Sequence, residues 1–220
     1  MEFLVTKFIF LFVTSFSVFL LKASEGYIEY KNIIEATSMN LFFEQDLNQF
    51  NKLAFKIRLT PEDPNLNKSE LKLKLKDGGW ERTFQADYNG NIEMEISKKL
   101  YDQNPKAYLN KTGQGRVNIG LDILLKNDKS SLLNTKEVTD AVAQYNQAIS
   151  EAGFMVKMMA PKLNKVRLRL VDEGVCTISY SEKPPQKLIS ERDHYIAIGS
   201  FEIIKEIGCS KGFYAVYLET

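Results

Sequence analysis

Two carboxylates two residues apart, Glu93 and Glu95, are the first place where this chain could do chemistry. A carboxylate pair can serve as general acid and base. They stand in Ile92-Glu-Met-Glu-Ile96, where period-two alternation puts both on one face of a strand. Strand neighbours facing solvent beside the stripe Lys72, Lys74 and Lys76 more often form cross-strand charge pairs, which would set the register and keep the sheet soluble. Asp193-His194 invites a triad reading, yet a triad is a spatial arrangement, and no serine stands in a Gly-x-Ser-x-Gly elbow. His194 is the only histidine, and ahead of a strand it reads as a surface residue. Cys176 as a nucleophile lacks the helix terminus that would activate a thiolate. Gly113-x-Gly115 is too short for a phosphate loop and precedes a strand, not a helix. No catalytic residue is assigned from these patterns.

Cys176 and Cys209 are the only cysteines. In an exported chain they read as one disulfide, closing a loop of roughly 34 residues and contributing about 3–4 kcal/mol on the chain-entropy account. Two separate buried thiols are the alternative. With no CxxC and one histidine there is no metal-ligand spacing, and no cofactor is expected. Trp80, Tyr88, Tyr101 and Tyr108 fall around the loops of the first half and are the candidate binding residues. Exposed rings on a sandwich rim stack on sugars or form an interface, and packing along the sheet edge is the alternative. Asn67-Lys-Ser69 and Asn110-Lys-Thr112 are glycosylation sequons, meaningful only in a eukaryotic secretory host.

The elements that must position these groups are mostly strands. The stretch 71–96 is the clearest: Leu71, Leu73 and Leu75 alternate with lysines, and Ile92, Met94 and Ile96 alternate with glutamates. Asp77-Gly78-Gly79 and Asn89-Gly90 supply turn chemistry, so the stretch reads as a β-meander. Leu53, Phe55, Ile57 and Leu59 share one face of another strand, as do Val117, Ile119, Leu121 and Ile123. Asn134 with Glu137 forms a capping pair ahead of Val138, Ala141, Val142, Tyr145, Ile149 and Ala152, and Gly153 stops that helix. Residues 154–159 read as a buried strand or a second short helix. Strands at 165–171 and 175–180 flank Asp172-Glu-Gly174 as a hairpin, and the chain closes on a strand at 213–218. The expected fold is mainly β with one central amphipathic helix. A β-sandwich-like unit occupies 24–126, and the helix with a second small antiparallel β unit occupies 132–220.

The chain has 220 residues, 44% hydrophobic and 26% charged, which is ordinary globular composition. Its formal net charge is +1, and removing Met1 to Ala23 takes away Glu2, Lys7 and Lys22 and leaves about zero. Such a balance lacks the electrostatic footprint of a nucleic-acid binder. The first residues hold Lys7, then an apolar run from Phe8 to Leu21, then Lys22-Ala-Ser24. That order matches a secretory signal peptide with cleavage after Ala23 or Ser24, and the run is short for a membrane span. An uncleaved N-terminal anchor is the alternative, and membrane contact would then run through this segment alone.

One resemblance is carried by Leu71-x-Leu-x-Leu75, Asp87-x-x-Gly90-x-Ile92, Leu100 with Asn104-Pro105, Asn110-Lys111 and Gly115. On these residues the stretch 71–125 resembles a group of uncharacterised exported, periplasmic bacterial β-rich proteins. The resemblance covers about a quarter of the chain. It implies an envelope location and a β-rich fold, and its motifs are turn and core positions. The reading that follows is an exported, non-enzymatic binding or scaffold protein of the cell envelope, whose partner is an envelope protein or a glycan. A hydrolase acting on a surface polymer and a carbohydrate-binding module are the alternatives.

Overall fold

The computed structural model describes residues 19–20, 26–45, 49–110, 116–126 and 130–220. The leader expected at 1–23 lies outside the described residues apart from positions 19 and 20, as do the Ala23–Ser24 cleavage point and Gly113-x-Gly115.

The first half holds β1 (Phe19–Leu20), β2 (Ile28–Glu29), α1 (Tyr30–Ala36), β3 (Leu53–Pro61), β4 (Lys72–Asp77), β5 (Trp80–Gln85) and β6 (Asn91–Ile92). It continues with α2 (Lys98–Gln103), β7 (Lys106–Leu109) and β8 (Val117–Leu125). The second half holds β9 (Leu132–Asn134), α3 (Thr135–Glu151), α4 (Phe154–Met159), β10 (Lys165–Leu170) and β11 (Gly174–Tyr180). It ends with β12 (Gln186–Ser190), β13 (Asp193–Ala197), β14 (Ile204–Cys209) and β15 (Phe213–Glu219). The chain is mainly β. A seven-stranded sheet runs β13-β10-β15-β8-β3-β6, with β1 also on β8, and two four-stranded sheets run β12-β11-β14-β9 and β2-β7-β4-β5. Every described pairing is antiparallel.

Alternation decides which face each strand of the large sheet buries. β3 and β8 pair over nine residues, from Leu53↔Leu125 to Pro61↔Val117. Their buried side chains include Leu53, Ile57, Leu59, Val117, Ile119, Ile123 and Leu125. β10 and β15 add Val166, Leu168, Leu170, Val216 and Leu218 on the same face. Against it pack Tyr30, Ile33 and Ile34 of α1 and Val138, Ala141, Tyr145 and Ala148 of α3. Leu73, Leu75 and Ala107 join the same core. Strands from 24–126 and from 132–220 therefore share one sheet and one core.

α3 begins where the capping pair placed it. The Asn134 side chain accepts from Lys136 N at 2.9 Å and Glu137 accepts from Asn134 N at 3.2 Å. It is accompanied by three helices of six or seven residues, α1, α2 and α4. Residues 154–159 are helical and leave Phe154 and Met158 largely exposed.

Two expected hairpins are not formed, for one reason. The meander 71–96 stops after the β4–β5 hairpin: β6 is two residues long and pairs with β3 in the large sheet. The Asp87 carboxylate accepts from Asn89 N and Asn91 N, turning the chain away. Gly90, at φ +91°, lets Leu59 N reach the Gly90 carbonyl at 2.8 Å. A Cβ at Gly90 would lie 2.2 Å from the Leu59 carbonyl oxygen, so the approach requires glycine. Likewise β10 and β11 flank 172–174 but do not pair, since β10 binds β13 and β15 while β11 binds β12 and β14. β14 and β15 cross between the same two sheets beside them, where Leu170 stands opposite Phe213. In each case a non-local partner strand outcompetes the neighbour in sequence.

The Cys176–Cys209 disulfide is present and joins two residues directly opposite on β11 and β14, with Cα atoms 4.1 Å apart.

Candidate functional site

The face of the large sheet turned away from the core carries the polar chemistry. Arg58 and Asn91, Lys56 and Asp122, Arg167 and Tyr217, and Arg169 and Asp193 are cross-strand pairs on it. Alternation sends these side chains to the face opposite the core, and the strand order β13-β10-β15-β8-β3-β6 then lays them side by side.

They form a continuous network. Arg167 Nε donates to Glu219 at 2.6 Å and its Nη1 to Asp193 at 3.3 Å, while its guanidinium lies 3.9 Å from the Tyr217 ring centre. Arg169 donates to Asp193 at 2.8 Å and also to Asn89 Oδ1. Arg58 donates to Asp122, which is buried, and Asn91 Nδ2 donates to the Tyr217 hydroxyl at 3.2 Å. Burial raises the Asp122 carboxyl above its ordinary value, opposed by the Arg58 and Arg167 charges. Burial works against the Arg167 cation, yet Glu219 and Asp193 hold it above its ordinary value.

A pocket opens at one end of this face. β15 follows β10 along its whole length but pairs with β8 only at Tyr217↔Leu124 and Leu218↔Ile123. The strands then diverge, and the fork encloses about 790 Å³. β8 and β15 wall it with Leu124, Lys126, Tyr214 and Tyr217, β3 with Ala54 and Lys56, and the end of β5 with Phe84 and Gln85. Asp87, Asn91 and Glu93 also line it. Lys56 is tied to Glu93 at 2.6 Å. The Tyr214 hydroxyl donates to Asp87 Oδ2 at 3.0 Å. Burial first, then the Asp87 carboxylate, pushes the Tyr214 phenol far above its usual range. The Tyr217 phenol is raised by burial and by the charge of Asp122. Both therefore stay protonated at any physiological pH. Asn91 is 3% exposed and its Oδ1 has no partner among the described residues.

The groups singled out from sequence are dispersed. Glu93 lines the pocket, whereas Glu95 pairs with Arg82 at 3.2 Å outside it. The lysine stripe does not face these glutamates, because β4 and β6 lie in different sheets, and Lys74 pairs with Glu81 at 3.3 Å. His194 stands opposite Leu168 on the core-side face of the edge strand β13, half-buried, while Asp193 points to the other face. Neighbours on a strand point apart, so the two cannot act as a triad pair.

The four candidate aromatic residues do not converge. Trp80 is half-buried at the β4–β5 turn with Arg82 over its ring, Tyr101 donates to Glu35 and packs edge-on against Phe43, and Tyr108 packs against Tyr27. Tyr88 alone reaches the pocket region, with its ring centre 4.3 Å from that of Tyr214 and the Arg169 guanidinium 5.6 Å from it. Sequence reading passed over Tyr214, Tyr217, Arg58, Arg167, Arg169 and Asp122. For Arg58, Asp122, Arg167, Arg169 and Tyr217 the available signal was a register opposite the core-facing residues of an alternating strand, whereas Tyr214 falls at a β-bulge, which alternation does not mark.

Compared with protein-family models, curated proteins and solved structures, the chain finds no match in any of the three.

Proposed function

We propose that this chain is an exported, non-enzymatic binding protein of the cell envelope, with the fork pocket as its ligand site. One observation carries the reading: a pocket of ligand size in which Lys56 and Glu93 are paired, Asp87 is held by backbone N–H groups and Tyr214, and the rest of the lining is mostly rings, aliphatic surface and hydrogen-bonding groups. Export is supported by the apolar leader and by the Cys176–Cys209 disulfide, a bond that persists in oxidising compartments. The framework we infer is sandwich-like, with the large sheet and the β2-β7-β4-β5 sheet as layers. The shared core of Ile57, Leu59, Leu73 and Leu75 supports it. The kinship with exported bacterial β-rich proteins stays part of this reading, on the residues of 71–125 alone.

The test is in-cell crosslinking of the tagged full-length chain, with a photoreactive residue at Gln85 and partners identified by mass spectrometry. One dominant envelope component, missing when Ala54→Trp fills the pocket, would support the reading. The same component recovered from Ala54→Trp would move the binding site elsewhere.

A hydrolase acting on a surface polymer is the second reading, favoured by two carboxylates, Asp87 and Glu93, in one pocket. Against it, Asp87 is committed to two backbone N–H groups and Tyr214, and Glu93 to Lys56. Turnover of a wall polymer that disappears in Glu93→Gln would establish it.

A further inference from the structure

We infer that the fork pocket takes a neutral oligosaccharide, held between the rings and aliphatic surface of β15, β8 and Phe84 and the carboxamide of Asn91. The inference rests on the reading of this pocket as the ligand site and names its chemistry.

Charge comes first. The ionisable lining groups other than tyrosine are Lys56, Lys126, Asp87 and Glu93, two of each sign. Lys56 and Glu93 neutralise each other at 2.6 Å, and Asp87 is saturated by Asn89 N, Asn91 N and the Tyr214 hydroxyl. A cationic ligand would have to take Asp87 or Glu93 from these partners and leave them uncompensated, and the remaining lining cation, Lys126, is solvent-exposed, where an ion pair with an anionic ligand is worth little. Sugar hydroxyls need no such exchange.

Surface comes second. Phe84, Tyr214, Leu124 and Ala54 give the walls broad apolar patches, and a pyranose ring presents a matching face of C–H bonds. A fatty chain would match those patches but would leave the buried Asn91 carboxamide, with its unpartnered Oδ1, facing hydrocarbon. Alternating hydroxyls and C–H faces suit both parts of the lining. The Tyr214 hydroxyl is already committed to Asp87, and because the Tyr214 and Tyr217 phenols stay protonated neither ring brings a charge to the wall across the physiological range.

The experiment is an NMR titration of the ¹⁵N-labelled full chain, secreted with its disulfide formed. The probes are cellotriose, maltotriose and triacetylchitotriose. Trigalacturonate, oleate and a tetra-alanine peptide serve as contrasts. The backbone amides of Asp87, Asn91, Lys126 and Ala215 report the pocket, and the Trp80 indole N–H reports a site outside it. At least one neutral trisaccharide should shift the pocket amides saturably. Ala54→Trp should weaken that binding about tenfold or more, and Phe84→Ala, which only removes a ring, by a similar factor. Trp80→Ala should leave it unchanged. Shifts with trigalacturonate, oleate or peptide alone would overturn the neutral-glycan inference while keeping the pocket as a ligand site. No shift with any probe would also overturn it, and if Ala54→Trp leaves partner recovery in cells intact, the pocket reading falls too. Affinity lost in Trp80→Ala but retained in Phe84→Ala would transfer glycan binding to the β4–β5 turn.

Discussion

The Tyr214 hydroxyl and the Asp87 carboxylate, 127 residues apart in the chain, meet at 3.0 Å. Their bond ties the loop after β5 to the last strand and forms one wall of the fork pocket. The Asp87 carboxylate also organises Asn89 N and Asn91 N, so the loop keeps its turn when the phenol is removed. Tyr214→Phe should therefore cost only about 1–2 kcal/mol, the worth of a hydrogen bond to a charged acceptor near the surface. Urea unfolding checks this, and a loss beyond about twice that would mean the bond also holds the strand in place.

Gly90 should be among the least replaceable turn residues. At φ +91°, with the Leu59 carbonyl 2.2 Å from a built Cβ, Gly90→Ala carries both backbone strain and a clash with main chain. We expect a loss of about 3 kcal/mol or more. Gly78, at φ +49° with open space around it, should lose only about 1 kcal/mol on the same change. Equal losses in chemical denaturation would refute the close approach.

Cys176 and Cys209 are 0% and 4% exposed, so a reductant should reach them only after unfolding. Thiol titration in mild reductant should find both blocked in the native chain and both open once denaturant is added. The double change Cys176→Ser, Cys209→Ser should cost about 3–4 kcal/mol.

Alkali should unfold the chain through its tyrosines. Burial pushes the Tyr30 and Tyr145 phenols up to about 12. The unfolded chain then ionises first, so their contribution is complete below about pH 10 and is lost as the pH rises toward the folded value. Tyr145→Phe loses the bond to the Pro161 carbonyl and should cost about 1 kcal/mol at neutral pH. Its stability should nevertheless fall less steeply than that of the wild type between pH 9 and 11.5, followed by circular dichroism. A parallel fall in both would contradict the shift.

His194 carries the opposite sign. Partial burial lowers its value, so as the pH falls the unfolded chain takes up the proton first. Its contribution is complete above about pH 6.5 and is lost as the pH drops through the folded value. It is the only histidine, which makes the comparison clean. The stability advantage of the wild type over His194→Gln should shrink from pH 8 to pH 5 in paired urea titrations. A widening gap would place an acidic partner near the ring.

Much of this architecture was legible from local pattern. The Asn134–Glu137 cap, the β4–β5 hairpin, the paired faces of β3 and β8 and the strand at β15 all follow from spacing within a few residues. The Cys176–Cys209 bond followed from counting. Other features were not legible, since the sequence holds no local cue for which strand pairs with which. The helix at 30–36 and the short helix before Asn104 lacked a strong stripe, and the hairpins expected at 92–96 and 172–174 gave way to strands from elsewhere.

By itself, then, the sequence determined the local grammar: which face each strand buries, where the long helix starts, and which turns need glycine. Those properties depend on neighbours within about four residues, through side-chain alternation and backbone sterics. Only the tertiary structure decided that Arg58, Asn91, Asp122, Arg167 and Tyr217 share one surface and that β8 and β15 part to open a pocket. Strand order is set by burying all apolar faces at once in a single core, a global balance that no short window of sequence contains.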